Sequence, residues 1–370
     1  MNVREIAGIT IGLTGNGKTF DEVSEHLDFI PTTTASQVDI MLEISSNDIF
    51  HEYLPEVNSA KGLMSFNKDE YFVGYLPSID YLVSDIFNTK GAVPVVKVKV
   101  TEDKLLKKII KYLLLRRKAY KSNLIMSYSL FWYIFQIVLM TKSKSFIHAA
   151  TLYDNKRNRA ILLGGTGGCG KTSTALEMLD DSRYSYLSED FSIINLEGQT
   201  FFNPKPVSVY CSDIEHGSKI LNDFKCSFNF TKKLEIFLKR SIFRKNPIFK
   251  VSPQNLFGER LSISGQCSYA FYVIRSNVKS PKLKDCTLDE IVDRFVESSI
   301  RELKTYTELS NLILANDLLN TGVISYSVLK ENMEEIYRQF LKKTEYKILL
   351  LPHKVSPKET INFLEKEKFL

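Results

Sequence analysis

Cysteine is scarce in this chain. There are five among 370 residues, Cys169, Cys211, Cys226, Cys267 and Cys286, and no two form a C-x-x-C pair. Neither a zinc site nor a disulfide framework is therefore indicated, and reduced thiols fit a cytoplasmic protein. A long apolar run is missing too. The strongest candidate, Leu124–Met140, is slightly short for a bilayer span and is interrupted by Ser127, Ser129 and Gln136, so it reads as a buried core helix. The first residues, Met1–Glu5, lack a basic region followed by an apolar core, and no signal peptide is expected. Repeats and low-complexity tracts are absent. Charge of one sign is not in great excess: 49 Lys and Arg against 43 Asp and Glu leave a net charge of +6. That balance suits an anionic ligand without requiring nucleic acid. With 44% hydrophobic and 25% charged residues, the composition is that of an ordinary globular protein of one to three domains.

What the chain does have is glycine in one place. Gly164-Gly165-Thr166-Gly167-Gly168-Cys169-Gly170-Lys171-Thr172-Ser173 contains G-x-x-x-x-G-K-T, the phosphate-binding loop of P-loop nucleotide enzymes. Glycines let successive backbone N–H groups turn inward to form an anion nest, and the following helix points its positive end at the same phosphates. Lys171 can reach the β- and γ-phosphates, and the Thr172 hydroxyl can ligate Mg²⁺. The flanks agree. Ala160–Leu163 reads as a short buried strand, and Thr172–Leu179 as a helix with Ala175, Leu176 and Leu179 on one face. Cys169 reads as a small residue filling a loop position.

A second match, Gly12-Leu13-Thr14-Gly15-Asn16-Gly17-Lys18-Thr19, has weaker surroundings. Ile9-Thr10-Ile11 is a weak alternating strand, and Gly15-Asn16-Gly17 is strong turn chemistry. The preferred reading there is a β-hairpin or exposed turn.

Residues 1 to about 100 read as an α+β segment, with strands at Val38–Ile44, Tyr71–Tyr75 and Val95–Val100. Pro94 places the last of these at a strand start or a sheet edge. Glu102–Lys118 has helical period with acids first and bases last, and reads as a docked helix with a solvated basic face. Phe146–Tyr153 and the strand before the loop read as a hairpin that sets His148 one strand from the phosphates. Tyr184–Asn195 reads as two strand pieces around the acidic pair Glu189-Asp190, followed by an extended, proline-bounded stretch at 201–210. Residues 211–265 are basic, with Lys232, Lys233, Lys239, Arg240, Arg244, Lys245, Lys250 and Arg260 among Phe237, Phe243 and Phe249. They match no nucleic-acid module and read as a basic flap near a triphosphate or as a solvated insertion. Ser268–Ile274 and Tyr346–Leu351 are strands, 287–340 is helical, and Ser356-Pro357-Lys358-Glu359 caps a last helix.

Phosphoryl transfer needs a metal, a carboxylate to hold it, and a group that prepares the acceptor hydroxyl. Glu189 and Asp190 are the outstanding candidates: one ligates Mg²⁺ and the other accepts the hydroxyl proton. The run from His148-Ala149-Ala150 through the Gly165–Thr172 loop to Leu187-Ser188-Glu189-Asp190 resembles HPr kinase/phosphorylase and its related kinases, which share a nucleotide-binding core with phosphoenolpyruvate carboxykinases. The likeness covers residues 146–210 well and the rest in outline.

The resemblance implies an α/β, mixed α+β fold in which a P-loop core at 121–370 follows an N-terminal α+β domain at 1–120. It implies ATP and Mg²⁺ as cofactors and a hydroxyl of serine type on a protein, peptide or small molecule as acceptor. It places the loop residues Gly165, Thr166, Gly167, Gly168, Cys169, Gly170, Lys171, Thr172 and Ser173 on the phosphates. It also puts His148 near the γ-phosphate, Thr172 and Asp190 on the metal, and self-association within the family's habit. Two departures matter. The family's acidic pair is usually two aspartates, whereas the first here is Glu189. The family's glycine-containing signature is replaced by Asn203-Pro204-Lys205-Pro206, so HPr itself and the reverse phosphorolysis are not expected. A nucleotide-dependent switch with slow hydrolysis is the alternative. Carboxykinase chemistry would need a second cluster of metal-ligating Lys and His, which is not found.

Overall fold

Alternating apolar residues at the N-terminus make two half-buried strands. In a computed structural model, which describes residues 2–34, 37–45, 57–58, 64–66, 70–76, 79–84, 93–100, 125, 130–210, 219–226, 237, 248–305 and 326–370, β1 (Asn2–Ile6) and β2 (Ile9–Gly15) form an antiparallel hairpin. Its turn is Ala7-Gly8, both at positive φ (55° and 73°), which matches the right-handed strand twist. The hairpin turn expected at Asn16-Gly17 is therefore not one. Those residues join β2 to α1 (Lys18–Leu27), and β3 (Ile40–Ser45) returns parallel to β2. The turn signal was real, but a parallel neighbour for β2 turned it into a strand-to-helix junction.

The chain falls into two compact units. The first holds the described residues up to Lys142 and those from Glu302 to Asn332; the second holds Ser143–Arg301 and Met333–Leu370. In the first, β4 (Val57–Asn58), β5 (Met64–Phe66), β6 (Glu70–Leu76), β7 (Ile79–Ser84) and β8 (Val95–Val100) complete an eight-stranded sheet of order β1-β2-β3-β8-β7-β6-β5-β4. The sheet-edge alternative for β8 is corrected: it lies inside, parallel to β3 and antiparallel to β7. Pro94 is tolerated because it precedes the ladder, where its carbonyl accepts the Met41 N–H.

The apolar run contains α2 (Leu130–Thr141), which buries Phe131, Trp132 and Phe135 in mutual ring contact. No helix among the described residues is long and apolar enough to cross a membrane. The helix expected at 102–118 lies outside the described residues.

The second unit is built on a nine-stranded sheet. In chain order its strands and first helices are β9 (Lys144–Ile147), β10 (Ala149–Asp154), β11 (Arg159–Gly164), α3 (Lys171–Met178), β12 (Tyr184–Ser188), β13 (Ser192–Asn195) and β14 (Gln199–Phe201). The small pair β15 (Val207–Tyr210) and β16 (Ile248–Val251) flanks α4 (Lys219–Cys226). Then come α5 (Pro253–Phe257), β17 (Ser264–Ser276), β18 (Lys282–Lys284), α6 (Leu288–Thr305, in this unit up to Arg301), α7 (Tyr326–Lys342, in this unit from Met333), β19 (Glu345–Pro352) and α8 (Pro357–Lys366). The sheet order is β12-β10-β11-β17-β14-β13-β9, with β19 on β17 and β18 on β19. β11, β17 and β19 run parallel, and their apolar stretches Ala160–Leu163, Ala270–Val273 and Ile348–Leu349 are buried where they meet. The whole is a mixed α+β architecture. Ser356 and Glu359 close α8 with the reciprocal capping box that the sequence signalled.

Asp154 ends β10 and anchors the turn into β11. Its fully buried carboxylate accepts from Arg183 Nε at 2.9 Å and from the Lys156 and Arg157 N–H groups. Burial pushes the carboxyl up, but the Arg183 guanidinium and those N–H groups outweigh it and hold the pKa below the usual carboxylate range. The stabilisation is thus complete above the unfolded carboxylate pKa of about 3.9 and is lost as pH falls through the lower folded value. Asp154→Ala is expected to cost about 3 kcal/mol in urea unfolding at pH 7, and the deficit should shrink towards pH 3. A deficit below about 1 kcal/mol at pH 7 would show that the turn is held by its backbone alone.

Candidate active site

β11 stops at Gly164, opposite Tyr272, while its parallel neighbour β17 runs on to Ser276. The six residues 165–170 turn back beside that extension. Gly165 has φ 136°, and a Cβ there would lie 2.5 Å from the Val273 carbonyl oxygen and 2.9 Å from Cys169 Sγ. Gly170, at φ 103°, would meet the Arg275 guanidinium at 2.7 Å. Glycine is favoured at both by conformation, and at Gly165 also by the backbone carbonyl in the way of a Cβ. Thr166, Gly167 and Gly168 form the exposed crown of the loop, and Cys169 is buried beneath it.

Gly164 faces the core instead: a Cβ would fall 2.0 Å from the fully buried Phe295 ring of α6. Gly164→Ala is expected to destabilise the fold by about 3 kcal/mol. Gly167→Ala, with nothing within 4 Å and no positive φ, should leave the melting temperature within a degree or two. Equal melting temperatures for the two variants would contradict the packing described.

α3 starts directly at Lys171, so its N-terminal N–H groups open onto the loop. The buried Lys171 ammonium donates to the carbonyl oxygens of Gly165 (2.6 Å) and Thr166 (3.2 Å), and lies 3.9 Å from Cys169 Sγ. It therefore sits inside the ring the loop makes. The next side chain, Thr172, donates its hydroxyl to Glu189 Oε1 at 2.6 Å. Ser173 follows, half-buried, in the same turn.

Glu189 and Asp190 form the turn between β12 and β13. Asp190 has φ 71°, a left-handed conformation that costs a non-glycine residue about 1 kcal/mol. The turn is held by the Phe191 N–H on the Glu189 carbonyl (2.8 Å) and by Asn203 Nδ2 on the Phe191 carbonyl (2.8 Å). Behind it the buried hydroxyls of Thr151, Ser192 and Ser188 are linked at 2.6 and 2.5 Å. Backbone strain held in place by surrounding bonds is common where function fixes a side chain.

The two acids face different partners. Glu189 is bonded to Thr172, whereas Asp190 accepts from Lys205 Nζ at 2.7 Å and lies 3.6 Å from His148 Nε2. Burial, then the Asp190 charge, push the Glu189 carboxyl up, against the Thr172 bond and the Lys250 and Lys205 cations. Burial also acts to raise Asp190, but Lys205 and Lys250, joined in acid by His148 once it is protonated, hold it well below the usual range. Asp190 is thus firmly an anion. His148 is the single residue between β9 and β10, which pair with different neighbours, and its backbone N–H is fixed by Ser299 Oγ at 2.9 Å. Burial and the Lys171 cation lower its pKa from 6.5 to about 4, so at neutral pH the imidazole is uncharged. Its Nδ1 is buried with no hydrogen-bond partner among the described residues.

The sequence thus marked out residues that come together in space: His148, the 165–172 loop, Glu189 and Asp190. It did not mark Lys205, whose ammonium is buried against Asp190 and over the Phe191 ring at 4.8 Å. Pro204 and Pro206 on either side were the available signal, since they fix an extended backbone around one lysine. Nor did it mark Arg275 beside Gly170. Of the basic stretch, Lys250 is half-buried, donates to Ser208 Oγ at 2.5 Å and acts on both acids. Arg260 instead binds the Leu179 carbonyl behind α3. Lys232, Lys233, Lys239, Arg240, Arg244, Lys245 and Phe243 lie outside the described residues.

The second glycine motif makes no such cradle. Gly12 to Gly15 lie within β2, Asn16 N–H donates to the Ile44 carbonyl at 3.1 Å, and only Asn16-Gly17 separate strand from helix. Lys18 points into solvent and meets Glu22 at 4.0 Å.

No protein-family model matches this chain, and a search of curated proteins returns no match.

Proposed function

We propose that the second unit is an ATP- and Mg²⁺-dependent kinase of the HPr-kinase-like class, which transfers the γ-phosphoryl group to a hydroxyl acceptor. The observation that carries this reading is a strand–glycine loop–helix unit in which Lys171 is held by the loop carbonyls and the adjacent Thr172 meets a two-carboxylate turn at hydrogen-bond distance. The loop N–H groups, the start of α3 and Lys171 suit the β- and γ-phosphates. Thr172 and Glu189 offer the hard oxygen donors that Mg²⁺ prefers, and Glu189, crowded by Asp190, gains from a cation beside it. When bound, the metal neutralises charge building on the phosphoryl oxygens.

Asp190 then falls to the acceptor side. It orients the hydroxyl oxygen towards phosphorus. As the new P–O bond forms and the bond to the β,γ-bridging oxygen breaks, Asp190 takes the hydroxyl proton while ADP leaves with the bonding pair. A carboxylate held so strongly anionic is a weak base at rest, which fits a loose transition state where the proton moves late. Neutral His148 adds no charge and lends Asp190 a polar edge.

The test is ADP release from MgATP with and without pools of hydroxyl-bearing peptides and metabolites. A kinase needs the acceptor. ADP release at one slow rate whatever is added would instead fit a nucleotide-dependent switch, and would remove the kinase reading.

A further inference from the structure

We propose that Lys205 is a second catalytic cation, whose ammonium is shared between Asp190 and the phosphoryl group in flight. This role rests on the kinase reading above.

An ion pair between a buried lysine and a half-buried aspartate is poor evidence for stability, because taking charge out of water costs about as much as the attraction returns. The backbone around Lys205 shows more than a chance pairing. Pro204 and Pro206 restrict the chain on both sides. Asn203 accepts the Lys205 N–H on Oδ1 at 3.1 Å while its Nδ2 holds the Phe191 carbonyl at 2.8 Å. One asparagine thus ties the segment bearing Lys205 to the turn bearing Asp190, so the ammonium is placed before any substrate arrives. The Phe191 ring beneath it excludes water from one side.

The electrostatics extend from there. Lys171 and Lys205 both lower the His148 pKa, and Lys205 also bonds Asp190, so ammonium groups from two different segments act on the His148–Asp190 pair. Lys171 lies in the phosphate loop and Lys205 at the acid that faces the acceptor.

The transfer step moves charge in the direction that uses such a group. At rest the negative partner of Lys205 is Asp190. As the acceptor proton passes to Asp190, that carboxylate is neutralised and the attraction between them is lost. Negative charge meanwhile remains on the equatorial oxygens of the transferred group. The ammonium can turn from the first to the second without further ordering, so its contribution is larger in the transition state than before it.

The probes are MgADP alone and MgADP with tetrafluoroaluminate, a planar anion that mimics the phosphoryl group in flight. Lys205→Met is expected to leave the Kd for MgADP within about 2-fold and to weaken the tetrafluoroaluminate complex about 100-fold. Lys205→Arg should recover part of that loss. If Lys205→Met does not fold, Asp190→Asn is compared with Asp190→Asn/Lys205→Met, in which no charge is left buried alone; the same selective loss is expected between those two. Equal weakening of both complexes, or no weakening of the tetrafluoroaluminate complex, would overturn the role of Lys205 while leaving the kinase reading intact. A wild type that binds no MgADP would overturn both.

Discussion

Asp190→Asn is expected to lower acceptor-dependent ADP formation by about 1,000-fold and to leave MgATP affinity within about 3-fold. Asparagine keeps the shape of the turn, and Asp190 already tolerates φ 71°, a region that asparagine enters readily. What it removes is the acceptor for the hydroxyl proton and the anion opposite Lys205 and His148. The Glu189–Thr172 bond is untouched, so the metal side should survive. Glu189→Gln should show the complementary pattern: weaker Mg²⁺ dependence of nucleotide binding as well as slower transfer. Should both variants weaken MgATP binding equally and spare turnover, the division between the acids would be wrong.

Lys171→Ala is expected to weaken MgATP binding about 100-fold, through loss of a charge-assisted contact of roughly 1.5–3 kcal/mol in a cradle that is otherwise neutral backbone. The same change should abolish measurable transfer, because the lysine acts where charge builds. It also carries a structural cost. The ammonium is bonded to the Gly165 and Thr166 carbonyls, which are left unsatisfied when it goes. Lys171→Met leaves the same carbonyls unsatisfied but keeps the packing of the apolar stem: it should bind as poorly as alanine while melting closer to wild type. A methionine variant that binds MgATP like wild type would show that Lys171 serves the loop alone.

Much of this site is legible in the sequence because it is local. The loop, its helix and the acidic turn lie within one run of chain, and each has a physical signature. Glycines mark positive φ at 165, 168 and 170, an apolar strand precedes them, and two acids sit between two strand-like pieces. What was not legible depends on long-range pairing. The Asn16-Gly17 signal cannot show whether the next strand to join β2 will run antiparallel or parallel to it; β3 is parallel, so the turn opens a helix instead of a hairpin. Pro94 suggests an edge only while the partners of β8 are unknown. Lys205 reaches Asp190 because Asn203 bonds across the turn, and the division of the two acids follows from Thr172 reaching Glu189. Neither distance has a sequence signature. The resemblance over residues 146–210 supplied the roles of the residues; the structure adds that Thr172 bonds Glu189 rather than Asp190, which is why the proposal puts Glu189 on the metal side.

The central claim is that one phosphate cradle exists and that it is the loop at 165–172. Calorimetric titration of MgATP into wild type, Lys171→Ala and Lys18→Ala tests it most directly. One site per chain is predicted, unchanged in Lys18→Ala and lost in Lys171→Ala over the same concentration range. Binding that survives in Lys171→Ala but disappears in Lys18→Ala, or no binding by wild type at all, would contradict it.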